Sequence, residues 1–415
     1  MDGITNDNNV IKKNMLYNSV GTSIYLGLQW LITILVARIS GYEYTGILTL
    51  AMSLSNIIFA ISAFGMRNYQ SSDINNKFDN NTYKISRVVT CLLGITVCAV
   101  ILVFSNYSFY TKCTIFIYIL FKISEAIVDV LHGAEQKVWR MDIIGKSFGL
   151  RGIVSFVTFI ITLVFTSDLF LSVLLMAISV YLIIVFFDIP NYKKIFKDEK
   201  IAKLDYKSIG KLLLICLPLT IFTFLSTGLQ AYPKFILESV TSSEMLGIYS
   251  SIATPVLIIQ VAASFIFNPL ITLFGELYVR RDKKEIVKLA VKIIAFIILL
   301  GLFAFIGSIF LGKFALHLLY EDTLDLYSYL LNYSIITMII TTLVTFVNVL
   351  LTVIRDFKTL LIGNLIGLVI TVILSNLWIA ENTINAMNPI LIISLMAQLL
   401  FMIIFGMIYL NKKFK

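Results

Sequence analysis

Charge is scarce in this sequence. Asp, Glu, Lys and Arg make up 14% of its 415 residues, and apolar residues make up 59%. The usual charged share is about 25%. A water-soluble domain has no interior able to hide that much apolar surface. With only two histidines in the chain, a metal centre is not suggested. The four cysteines, Cys91, Cys98, Cys113 and Cys216, have neither metal nor redox spacing. Cys91 and Cys98 share one apolar run, as packing residues do. No Gly-rich loop followed by Lys-Ser or Lys-Thr is present, so ATP is not the direct energy source. No catalytic or cofactor motif is found, and His317 with Glu321 reads as a surface contact. Residues 1–13 are polar, and the apolar stretch after Lys13 has no small-residue cleavage site, so the start does not read as a signal peptide.

Long apolar runs are abundant. They fall at roughly 14–37, 46–65, 87–105, 113–131, 148–166, 169–187, 211–231, 247–273, 289–311, 327–352, 360–379 and 389–410. Stretches of about 18 or more apolar residues read as membrane helices. The expected fold is all-α and integral to the membrane, with twelve transmembrane helices. Of the 33 Lys and Arg, only Arg38, Lys112, Lys234 and Lys313 fall in odd-numbered connections, and Lys122 lies within the fourth run. All the others lie at the N-terminus, in or beside even-numbered connections, or at the C-terminus. This bias places both termini in the cytoplasm of a multi-pass inner-membrane protein, and it accounts for the net charge of +9 without nucleic acid. The connections on the far side, the longest being 232–246 and 312–326, leave no room for an extracellular domain.

A basic connection containing Lys193, Lys194, Lys197, Lys200, Lys203 and Lys207 divides the chain near its middle. The expected organisation is a six-helix lobe over 1–190, a cytoplasmic linker over 191–210 and a second six-helix lobe over 211–415. An offset of 201 residues supports two parallel repeats: Gly27-Leu28-Gln29 falls on Gly228-Leu229-Gln230, and Glu43, Gly46 and Ile47 fall on Glu244, Gly247 and Ile248. Phe64 meets Phe265 in the same register. Transporters built from parallel repeats bind substrate between the halves; a shared helix-packing pattern is the alternative.

Polar residues within the runs gather on narrow faces. At about 100° per residue, Asn18, Thr22, Tyr25, Gln29 and Thr33 fall within about 80°. Thr223, Ser226, Gln230 and Lys234 repeat the stripe in the seventh run. The fifth run offers Ser147, Arg151, Ser155, Thr158 and Thr162, and the tenth offers Thr341, Thr345, Asn348, Thr352 and Arg355. Either these line a polar lumen or they hold neighbouring helices together. The fourth run carries Lys122, Glu125, Asp129 and His132 on one face, where Lys122 and Glu125 either neutralise each other or serve substrate binding and ion coupling. Pro218, Pro233, Pro255 and Pro269 mark expected kinks.

Several segments resemble the opening and middle of polysaccharide-biosynthesis flippases. They are Leu35-Val36-Ala37-Arg38-Ile39-Ser40-Gly41 with Gly46-Ile47, and Phe64-Gly65-Met66-Arg67-Asn68-Tyr69. Trp139-Arg140-Met141-Asp142, Gly145-Lys146-Ser147 with Arg151-Gly152, and Phe267-Asn268-Pro269-Leu270 complete the set. The chain is thus similar to Wzx-like O-antigen or capsule repeat-unit flippases of the multidrug/oligosaccharidyl-lipid/polysaccharide (MOP) exporter superfamily, the MATE/MOP-like fold. The resemblance implies two six-helix lobes that move undecaprenyl-diphosphate-linked oligosaccharides across the bacterial cytoplasmic membrane. Lipid-linked oligosaccharide and membrane lipids are the implied partners, with a glycan polymerase and chain-length machinery beside them. Lipid II flippases carry arginines at membrane depth in their first two helices; here Arg38 and Arg67 stand only at the ends, which disfavours lipid II as cargo.

On this reading Lys122, Lys234, Arg151 and Arg355 hold the diphosphate, Gln29, Gln230, Asn18 and Asn348 line the substrate-binding lumen, and Glu125 and Asp129 are the ion-coupling candidates. Outward movement of two negative charges is favoured by about 4.6 kcal/mol per 100 mV of inside-negative potential. A multidrug or small-solute exporter of the same fold is the alternative, favoured by acidic rather than basic lumen residues. A membrane glycan polymerase is disfavoured by the short outer connections.

Overall fold

The computed structural model describes residues 8–73, 76–197 and 205–414. The side chains of Phe265, Asn268, Pro269 and Glu321, and the linker residues Lys200 and Lys203, lie outside what is described. Among these residues fourteen α-helices follow one another: α1 (Asn8–Ala63), α2 (Met66–Ser72), α3 (Asn80–Phe104), α4 (Phe109–Lys137), α5 (Met141–Thr166), α6 (Leu169–Ile183) and α7 (Ile189–Ile195). Then come α8 (Tyr206–Val240), α9 (Ser243–Ala253), α10 (Leu257–Val279), α11 (Lys283–Tyr320), α12 (Leu330–Val353), α13 (Phe357–Asn382) and α14 (Met387–Lys413). A π-helical turn, Ile184–Asp188, joins α6 to α7. Short polar residues start the helices where the apolar runs begin. Asp79 accepts from the Thr82 amide, Asp168 from Phe170 and Leu171, and Asp356 from Thr359, each covering orphan amides of a first turn.

Nine stretches among the described residues are long and apolar enough to cross a membrane. Two of them, Lys13–Ala63 and Phe357–Lys413, run for 51 and 57 residues. The expected connection at 38–45 is helical, and the backbone changes direction at Gly41, whose φ of 86° only glycine adopts without strain. Although α4 has 29 residues, its Lys122, Glu125 and Asp129 leave it outside the apolar set. The structure is therefore all-α and membrane-spanning, but the twelve runs do not appear as twelve separate apolar helices. Of the expected proline kinks, only Pro255 coincides with a break, between α9 and α10; α8 continues through Pro218 and Pro233 and α10 through Pro269.

The chain separates into two compact units, Met1–Phe224 and Leu225–Lys415, with the boundary inside α8. Large apolar side chains such as Phe104, Phe165, Leu299, Phe303 and Phe310 are exposed on the outer faces. That surface suits hydrocarbon rather than water. In the first unit α1 packs on α5 at backbone distance. A Cβ on Gly21 would stand 1.8 Å from the Gly145 carbonyl oxygen, so any larger residue would force the helices apart. Cys91, Cys98 and Cys216 are buried and unbridged, as packing residues.

Candidate functional site

A cavity of about 530 Å³ in the first unit is lined by Arg67, Glu125, Asp129, His132, Gln136 and Arg151, among others. Four of these come from one face of α4, because residues spaced three or four apart stack along a helix. The turn between α1 and α2 delivers Arg67. Phe64 and Gly65 both adopt left-handed backbone there, with φ of 50° and 61°, and a Cβ on Gly65 would lie 2.9 Å from the Leu219 side chain. Arg67 then donates to Asp129 at 3.4 Å and, through Nε and Nη2, to Gln136 at 3.3 and 3.2 Å. Arg87, from α3, donates to the other Asp129 oxygen at 2.8 Å and to the Ser62 carbonyl at 2.7 Å. Asp129 is therefore clamped between two guanidinium groups.

Lys122 Nζ lies 2.7 Å from Glu125 Oε2 and 5.2 Å from the centre of the Phe59 ring. The Tyr25 hydroxyl donates to the other Glu125 oxygen. Deeper in the unit, Arg151 donates to Ser124 Oγ at 2.6 Å. Its Nη1 stands 3.9 Å from Asp188, and His132 Nε2 stands 4.0 Å from the other Asp188 oxygen. Both separations exceed hydrogen-bond length. The side chains of Arg151, Asp188 and His132 are 1–2% exposed. A wall of alternating charges, each cation beside a carboxylate, is the chemical character of this cavity.

The other sequence-predicted residues stand elsewhere. Gln29 donates to Ser155 Oγ at 3.2 Å, joining the stripes of α1 and α5 to each other. Asn18 is partly buried on α1. In the second unit, Asn348 accepts from Asn364, which in turn accepts from Gln398, at 3.0 and 2.9 Å. Thr341, Thr345 and Thr352 donate to carbonyls one turn back on their own helix. Gln230 and Lys234 are partly buried on α8, and Arg355 is exposed just beyond α12 with φ of 62°. Sequence reasoning missed Arg87 and Asp188 and treated Arg67 as an end-of-span residue. All three sit where an apolar run begins or stops, the usual place for interfacial charge, and no sequence signal marks them as buried.

No protein-family model matches the chain. It is 26% identical over 313 residues to the capsular polysaccharide biosynthesis protein CapF of Staphylococcus aureus, covering 74% of this chain and 77% of that one. Among solved structures, the lipid II flippase MurJ in an inward closed conformation aligns with a TM-score of 0.71 at 13% identity, over 94% of this chain and 87% of that one. An outward-facing MATE multidrug resistance transporter gives 0.65 at 13% identity, over 97% and 96%. The fold is that of the MATE/MOP superfamily. A MOP superfamily transporter from Pyrococcus furiosus shares it at 0.62 and 13% identity, over 97% and 96%. Among the described residues no group of three His, Cys, Asp or Glu stands close enough to hold a metal ion.

Proposed function

We propose that this chain is a flippase for undecaprenyl-diphosphate-linked oligosaccharide repeat units, serving O-antigen or capsule assembly at the bacterial cytoplasmic membrane. The observation that carries the reading is the charged cavity of the first unit, where Arg67, Arg151 and the nearby Lys122 offer cations at the level of membrane-spanning helices. A diphosphate with a sugar head cannot cross about 30 Å of hydrocarbon unaided, whereas its polyprenyl tail can stay in lipid. The likeness to a capsular polysaccharide biosynthesis protein supports a role in surface-polysaccharide assembly. Lys122, with Arg67 and Arg151, is proposed to meet the diphosphate in the first unit, and Lys234 in the second. Gln29, Asn18, Gln230 and Asn348 are proposed for the sugars, Arg355 for the cytoplasmic approach, and Glu125 and Asp129 for ion coupling.

The proposed topology has twelve crossings in two parallel six-helix lobes, with both termini cytoplasmic. At 1.5 Å per residue, stretches of 51 and 57 residues extend about 77 and 86 Å, long enough to cross twice. Adding α4, about 44 Å long, completes the twelve.

A multidrug exporter of the same fold is the other reading, supported by the likeness to MATE transporters. It would need a carboxylate available to a cationic drug. Glu125 is paired with Lys122, and Asp129 with Arg67 and Arg87, so the pairing bears equally on both readings, and the likeness to a capsular polysaccharide biosynthesis protein favours the flippase. Deletion tests the choice. Surface polymer should disappear while lipid-linked repeat units accumulate on the inner leaflet. Normal surface glycan in a strain with no redundant transporter would move the assignment to the other exporters.

A further inference from the structure

A second cavity, of about 800 Å³, lies on the first unit between α3, α4 and the α6–α7 segment. Its walls are apolar, formed by Cys91 and Ile95 of α3, Ile127 and Leu131 of α4, and Ile189. Val88 and Leu92 on its rim are exposed at 58% and 59%, so the cavity is a groove open toward lipid. At one end stand four cations, Lys84, Arg87, Lys193 and Lys197, and its lining includes no Asp, Glu, Asn, Gln, Ser or Thr. The helices explain the segregation: α3 begins and α7 ends at the same end of the unit, so their terminal basic residues meet there. We propose that this groove binds one anionic phospholipid, with its phosphate among the four cations and its acyl chains along the apolar walls.

Three observations point to that occupant. From Lys84 to Ile95 the α3 face spans about 16 Å, roughly half of a 30 Å hydrocarbon core, which is the depth of a single leaflet. Arg87 is 2% exposed and spends both terminal nitrogens on Asp129 and the Ser62 carbonyl, while its Nε has no hydrogen-bond partner among the described residues. A phosphate oxygen would satisfy that buried donor, and buried donors are rarely left unpaired. The neutral hydrogen-bonding groups in the lining are two tyrosine hydroxyls, and that of Tyr181 is already spent on the Leu120 carbonyl, a poor match to a sugar head, which needs several placed polar groups. In the orientation proposed above this is the cytoplasmic leaflet, but the site itself rests on neither that orientation nor on transport.

The test uses the full-length protein in nanodiscs of phosphatidylcholine, with or without phosphatidylglycerol. Native mass spectrometry should show phosphatidylglycerol retained at least about tenfold better than phosphatidylcholine, the scale expected for lysines at an anionic surface. Lys193→Gln combined with Lys197→Gln alters only exposed side chains and should abolish the preference. A photoreactive phosphatidylglycerol should label the α3 peptide containing Val88 to Ile95. An unchanged preference in the double variant, labelling confined to other helices, or displacement by undecaprenyl phosphate at equal concentration would each overturn the proposal, the last in favour of the polyprenyl carrier.

Discussion

Lys122 and Glu125 form an ion pair at 2.7 Å, one turn apart on α4, and the Glu125 carboxylate is also held by the Tyr25 hydroxyl from α1. The pair lets two charges sit on a membrane helix where an isolated one costs about 2.5–3.5 kcal/mol at the centre. It also makes the helix–helix contact between α1 and α4 depend on which charge remains.

Removing one partner should therefore harm the protein more than removing both. Lys122→Ala is expected to lower the amount of folded protein, and Lys122→Ala with Glu125→Ala to restore it, since no unpaired charge remains. If Lys122 also holds the diphosphate, the restored double variant stays inactive in a flipping assay, whereas Lys122→Arg keeps much of the activity. Recovery of transport in the double variant would remove Lys122 from the binding site.

Asp129 is shared by two arginines of unequal burial, 2% exposed for Arg87 and 24% for Arg67. Asp129→Asn strips the charge partner from Arg87 and should destabilise the first unit by about 3–5 kcal/mol, the scale for breaking a buried pair. Arg67→Gln should be milder, because water reaches that side chain. Thermal unfolding in one detergent compares the two; equal effects would mean that burial does not set the hierarchy.

Gly65 combines a positive φ with a 2.9 Å approach to Leu219. Gly65→Ala should lower stability by about 1–2 kcal/mol through backbone strain, and by more through the steric contact. Repeating it in a Leu219→Ala background should relieve only the steric part. Full rescue in that background would show that the left-handed backbone contributes nothing.

Beyond α2, Asp73 accepts hydrogen bonds from the Lys77 and Phe78 amides. Burial raises its pKa, but the Lys77 and Phe78 amides, at 2.9 and 3.2 Å, outweigh that and leave it lower than usual. A depressed folded-state pKa stabilises above the unfolded value, near 3.9, and that contribution fades as pH falls through the folded value. Proteolytic cleavage within residues 73–79 should accelerate below about pH 4, and Asp73→Asn should show the fast rate at neutral pH. A pH-independent rate in the native protein would exclude Asp73 as the latch.

Topology can be read with single cysteines in a background free of the native ones. Positions 242 and 326, where Ser242 and Leu326 are exposed, should react with an impermeant thiol reagent in intact cells, and position 197 only after lysis. Labelling of position 197 in sealed cells would reverse the orientation.

Much of this architecture was written along the chain. Apolar runs must become helices in lipid, since hydrocarbon offers no other partner for backbone amides. Three-to-four spacing alone put Lys122, Glu125, Asp129 and His132 on one face. What the sequence could not supply was which groups those side chains would meet. Arg67 and Arg87 reach Asp129 from 62 and 42 residues away in the chain, and the approach of Arg67 follows the left-handed turn at Phe64 and Gly65. Within the polar stripes, packing joins Gln29 to Ser155 and Asn348 to Asn364, pairings that helical spacing alone does not give. Helical periodicity is a local property that fixes a face; whether that face meets a cavity, a helix or an opposite charge depends on contacts between distant segments, which only the folded chain brings together.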